Sequence, residues 1–239
     1  MKRNKTIMII AVLSMIFIIT TIFSFLLYSN DGVIVSSYAD TDNNVSLGAT
    51  DYGIVEKLGP YGNTSSPVKI AYIIGVHPLE YKAHQALIES LINNSKSLKY
   101  SYYIYKINVT QDKDDYNKGR MNGQLLANKF VVSDIAKNDF NLAIDVHSNS
   151  GNWKENRFIF APVNGSESES YAKKIKSQLD WLSYYVPPNP TSTDYVTGPL
   201  IKTGVPAMVY ETYNKESFDV TLEQAREFIG VVDGIGFSY

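Results

Sequence analysis

"VKIAYIIGVHPLE" spans residues 68–80 and joins two kinds of sequence pattern. The first nine residues are a nearly unbroken apolar run, the pattern of a strand covered on both faces. Pro78 suits the first turn of a helix. Leu79, Ala83, Leu87 and Leu91 then recur every four residues, so the spacing predicts a helix directly after the strand. The whole chain holds three histidines, and two of them, His77 and His84, sit at this junction with Glu80 between them. The stretch is either an ordinary helix start or one half of a metal site.

The same alternation continues outward. "YSYYIYKINV" (100–109), "FNLAIDVHS" (140–148), "RFIFAPV" (157–163) and "VPAMVYET" (205–212) are rich in β-branched and aromatic residues and read as strands. "MNGQLLANKFVVSDIAK" (121–137), "SESYAKKIKSQLDWL" (168–182) and "TLEQAREFIGVVDGI" (221–235) read as helices. Strands alternating with helices predict an α/β fold, with a mainly parallel, twisted mixed sheet flanked by helices. Ligands in such sheets bind beyond the carboxyl ends of the strands.

The N-terminus has a different character. "MKRNK" is followed by 22 uncharged residues, Ile7 to Tyr28. As a helix that run is roughly 33 Å long, about one bilayer core. Residues 1–30 therefore read as a signal anchor with its basic end inside and the rest of the chain outside, the rival being a signal that is cleaved to give a secreted protein. Residues 31–66 are rich in Ser, Asp, Asn, Gly and Thr and read as a flexible extracytoplasmic linker, leaving 67–239 as the folded domain. Beyond "MKRNK" the chain has 19 basic and 24 acidic residues and no basic stripe, so nucleic acid is not an expected partner. The absence of cysteine excludes disulfides and a thiol nucleophile.

Chemistry collects at the strand ends. The first strand ends at His77, with Glu80 one turn on. "LAIDV" ends at His147, and "PAMVY" ends at Glu211. Two imidazoles and a carboxylate suit a catalytic zinc, which keeps a position for water. Zinc acidifies that water and polarises a carbonyl. A further carboxylate must move the proton, and Glu211 is placed for it. Asp145, two residues before His147 on one strand face, either orients that imidazole from behind or caps a loop. His84 is read as a hydrogen-bond partner of Glu80 or as exposed, rather than as a ligand.

"HPLE", "IDVHS" and "VYET" together resemble the H-x-x-E … H … E order of the zinc carboxypeptidase superfamily, which includes the succinylglutamate desuccinylase and aspartoacylase branch. The resemblance covers roughly residues 66–215. It implies a carboxypeptidase-like fold, Zn2+ held by His77, Glu80 and His147, and Glu211 as general base and acid. It also implies an arginine that grips the substrate. Arg120 in "NKGRMNG" is the candidate, with Asn122 beside it and Arg157 as its rival. Tyr195 would be the tyrosine that closes over substrate, or else a packing residue. The chain thus reads as a membrane-anchored extracytoplasmic zinc peptidase or amidohydrolase, with cell-wall or other extracellular peptides as substrate. A deacylase of N-acyl amino acids and a non-catalytic wall- or glycan-binding module are the alternatives.

Overall fold

The computed structural model describes residues 44–237. The segment read as a signal anchor and the first part of the linker lie outside the described residues. Within the described residues no helix is long and apolar enough to cross a membrane.

The strand of the 68–80 stretch is Lys69–Ile74, here β3. It follows a hairpin of β1 (Val45–Thr50) and β2 (Gly53–Gly62). The other strands are β4 (Ser101–Val109), β5 (Leu142–Asn149), β6 (Phe158–Phe160), β7 (Ser183–Tyr184) and β8 (Ala207–Tyr213). All eight form one sheet in the order β1-β2-β4-β3-β5-β8-β6-β7. The central four, β4-β3-β5-β8, run parallel. The pairings β1–β2, β2–β4 and β6–β8 are antiparallel.

Residues 45–62, expected within a flexible linker, are therefore part of the sheet. β2 pairs with β4 from Gly53↔Val109 to Gly62↔Ser101. Its buried positions are few, Val55 and Tyr61 among them, so apolar periodicity is faint. The partner's backbone supplies what the side chains do not signal: β4 would otherwise present an unpaired edge.

Besides a single turn at Ser133–Ile135, the α-helices among the described residues are α1 (Tyr81–Asn94), α2 (Tyr116–Leu126), α3 (Glu167–Lys176), α4 (Thr197–Lys202) and α5 (Phe218–Gly234). α2 starts five residues earlier than "MNGQLL" suggested, because Asp115 caps it, accepting from the backbone N–H groups of Asn117 and Lys118 at 3.0 and 2.9 Å. It runs on into a π-helical turn, Ala127–Val132. Ser166 and Ser217 cap α3 and α5 in the same way.

Period-two alternation divides the core. Ile70, Tyr72 and Ile74 of β3 pack with Leu87 and Leu91 of α1, Ile175 of α3 and Phe228 of α5. Ala71 and Ile73 face the other way, toward Leu126, Val131 and Leu200 on the α2 and α4 side. Both faces of β3 are covered, which is why its sequence is apolar throughout. Leu79 does not join the α1 stripe: it sits on a 3₁₀ turn, Pro78–Glu80, and is 47% exposed.

Candidate metal centre

Strand direction brings the site together. Ile144 and Val146 of β5 enter the α1 side of the core while Ala143 enters the other, so Asp145 and His147 point to the α2 side. His147 is in register with Glu211 on β8, and Asp145 with Ile73 on β3. At the end of β3 the backbone turns at Gly75, with φ +84°. A Cβ there would lie 2.0 Å from the carbonyl oxygen of Ile107, so only glycine lets the chain pass β4 and deliver His77 and Glu80.

The carboxylate of Glu80 is the hub. Its Oε1 lies 3.0 Å from Nδ1 of His77 and accepts from Nη1 of Arg120 at 3.1 Å. Its Oε2 lies 2.9 Å from Nδ1 of His147 and accepts from the backbone N–H of Ser148 at 3.0 Å. Behind His147, Nε2 stands 2.9 Å from Oδ2 of Asp145, a carboxylate with no exposed surface. Burial and the neighbouring charges set the protonation. Burial drives the His77 imidazole down to about 4, against the pull of Glu80, so it is neutral at neutral pH. Burial works on His147 in the same direction, but Asp145 and Glu80 on its two sides outweigh it and hold the imidazole up. Burial disfavours the Glu80 anion, yet the two histidines hold its carboxyl well below the usual range.

The donor set fits a divalent cation. One ligand atom from each of His77, Glu80 and His147 lies within 4.8 Å of the others, and Nδ1 of each imidazole faces the Glu80 carboxylate. Ligands at about 2.1 Å from a tetrahedral zinc are about 3.4 Å apart, so pairs now at 2.9–3.0 Å need only small outward adjustment. A cation there would take the place of the proton on Nδ1 of His147, between groups already arranged to stabilise positive charge.

Glu211 opens into the same cavity, of about 520 Å³, with His77, Glu80 and Arg120. Burial, opposed in part by His147, pushes its carboxyl up to about 8. Its Oε2 accepts a long 3.4 Å hydrogen bond from Asn149. Arg120 lies over the ring of Tyr116 at 4.8 Å and lines the cavity beside His77 and Glu80. Arg157 does not line it and pairs instead with Glu216 at 3.0 Å.

Two expected substrate residues lie off the cavity. Asn122 turns away and donates to the carbonyl of Gln111 at 3.0 Å. Tyr195 packs against the core beneath α4, and its backbone carbonyl accepts from Asn128. Helical and loop geometry rotate both away from the strand ends. The walls are built from Asn149, Trp153, Asn189, Thr191 and Asn214, which sequence reasoning did not select. Asn149 follows His147 by two on the same strand, a position that could have named it. His84 is neither exposed nor bonded to Glu80. It is 7% exposed, and its Nε2 lies 3.2 Å from the carbonyl oxygen of Val146 and 3.4 Å from the backbone nitrogen of Gly75.

No family model matches the sequence, and no curated protein matches it. Solved structures do match. A metallo-carboxypeptidase from Burkholderia cenocepacia aligns with a TM-score of 0.53 at 10% identity, over 80% of this chain and 63% of that one. A metallo-carboxypeptidase from Pseudomonas aeruginosa, in complex with (2-guanidinoethylmercapto)succinic acid, gives 0.53 at 13% identity over 80% and 62%. The fold is that of the metallo-carboxypeptidases. The product-bound cell shape determinant protein Csd4 from Helicobacter pylori shares it, with a TM-score of 0.51 at 10% identity over 75% of this chain and 54% of that one. This chain thus spans under two thirds of the length of each, and at such identities the likeness is one of fold.

Proposed function

We propose that this protein is a zinc-dependent amide hydrolase, in which His77, Glu80 and His147 hold the metal and Glu211 moves the proton. The observation that carries the reading is a raised carboxyl, Glu211, sharing one cavity with a buried His-Glu-His group. Zinc supplies Lewis acidity, which acidifies water and polarises a carbonyl. Glu211 in its anionic form accepts a proton at a carboxylate oxygen and, once protonated, can give it to the leaving nitrogen. A carboxyl held up at about 8 chiefly by burial would be lowered toward neutral pH by the charge of a bound cation, into the range where both steps are possible. Arg120, tethered by Glu80 and Tyr116, keeps N–H groups for a substrate carbonyl or carboxylate.

The substrate we propose is a peptide of the cell wall, met outside the membrane. The uncharged run Ile7 to Tyr28 behind "MKRNK" supports a tethered, exported domain. The fold it shares with a cell shape determinant supports a wall substrate.

Glu211→Gln tests the reading, because it keeps size and removes the base. Zinc content should match wild type, and the melting temperature should be no lower than that of wild type. Hydrolysis of wall-type peptides should fall by roughly 10²–10⁴-fold. Near-normal turnover in the variant would remove Glu211 from the mechanism. A zinc-loaded wild type inert on wall peptides, other peptides and N-acyl amino acids alike would point to a binding module instead.

A further inference from the structure

We propose that Gln124, backed by Thr191, is a positioning residue that holds the ring of His77 in place and satisfies its Nε2 in the tautomer a cation requires; the inference rests on the zinc reading above. Gln124 is 2% exposed. Its Nε2 lies 3.3 Å from Nε2 of His77 and 3.3 Å from Oγ1 of Thr191. The preceding residue explains how it reaches so far. A Cβ on Gly123 would fall 2.1 Å from the carbonyl oxygen of Val76, so α2 lies directly against the segment that carries His77.

A neutral imidazole carries one proton. With that proton on Nδ1, facing Glu80 at 3.0 Å, Nε2 of His77 accepts from the Gln124 amide. A cation on Nδ1 excludes the proton there and requires it on Nε2, which then donates. The partner must become an acceptor. A primary amide serves both states, since a half-turn about its last bond exchanges oxygen for nitrogen. The hydroxyl of Thr191 donates or accepts and so follows either state. Leucine at this position would fill similar space and serve neither. Glutamate would offer only an acceptor and so would favour the cation-binding tautomer.

The prediction is an order of zinc affinities that differs from the order of stabilities. The test uses the full chain, solubilised in detergent, with the zinc dissociation constant measured by competition against a chromogenic chelator. Melting of the metal-free protein is measured beside it. Gln124→Leu should bind zinc about 10–100-fold more weakly, the usual effect of losing a partner behind a ligand histidine. Gln124→Glu should bind within about threefold of wild type or tighter, while its metal-free form, with a buried carboxylate, melts lower. Thr191→Val, on a cavity-lining loop, should weaken zinc by a few-fold with folding kept, and it carries the test if Gln124→Leu does not fold. A Gln124→Leu protein with wild-type zinc affinity would overturn the inference and leave the zinc reading intact. So would a Gln124→Glu protein that loses as much as Gln124→Leu. A wild type that binds no zinc would overturn both.

Discussion

Glu211 shows how one residue's surroundings give it a measurable signature. Its carboxyl has an ordinary value of 4.5 in the unfolded chain and is pushed up to about 8 in the fold. Between those values the folded metal-free protein holds a proton that the unfolded chain does not. Stability must then fall as pH rises from about 4.5 to 8, by at most about 1.4 kcal/mol per pH unit and less where the open cavity admits water. His77 and His84, both lowered to about 4, act in the opposite sense, losing stability as pH falls below 6.5. Comparison with Glu211→Gln cancels them. In chelator, urea unfolding should show wild type losing stability relative to the variant from pH 5 to pH 8. A constant difference would mean that Glu211 is not perturbed. At this scale His77, Glu80, His147, Asp145 and Glu211 were legible, because each stands at or near a strand end where the sequence changes from apolar to polar. Gln124 was not, because a glutamine inside an amphipathic helix carries no mark of what its amide meets.

Elements place these residues through close backbone contacts. The crossing of α2 over Val76 requires the absence of a side chain at Gly123. Gly123→Ala should therefore destabilise by about 1–3 kcal/mol, despite the better helix propensity of alanine, and should also weaken zinc as His77 shifts. Gly230→Ala is the control: it lies on α5 with nothing within 4 Å of its Cβ, and should stabilise by roughly 0.5–1 kcal/mol with zinc unchanged. Urea unfolding and chelator competition read both. Equal effects at the two positions would show that the α2 contact does not matter. The long elements, β3, α1, β5, β8 and α5, were readable from periodicity because their faces are buried on a regular repeat. β1 and β2 were not, since β2 is held by backbone pairing to β4 with few buried side chains of its own. The π turn after α2 was equally silent, as Ala127–Val132 has the same apolar spacing as an α-helix would.

For the whole molecule, the sheet defines where the domain begins. A chain starting at residue 67 would leave β4 as an open edge and uncover Tyr61's contacts in the core. Such a truncation should aggregate or melt well below a chain starting at residue 44, as judged by size exclusion and thermal melting; equal behaviour would show that the β1–β2 hairpin is dispensable. The parallel centre β4-β3-β5-β8 has a further consequence. It sends the ends of β3, β5 and β8 to one edge, so residues 70 and 64 positions apart in sequence, His77 to His147 and His147 to Glu211, meet at one point. X-ray anomalous scattering at the zinc edge, from crystals of the zinc-loaded protein, tests that convergence. One strong peak per chain is expected, within about 2.0–2.2 Å of Nδ1 of His77, a carboxylate oxygen of Glu80 and Nδ1 of His147. A loaded protein with no peak there, or with its zinc bound elsewhere, would contradict it.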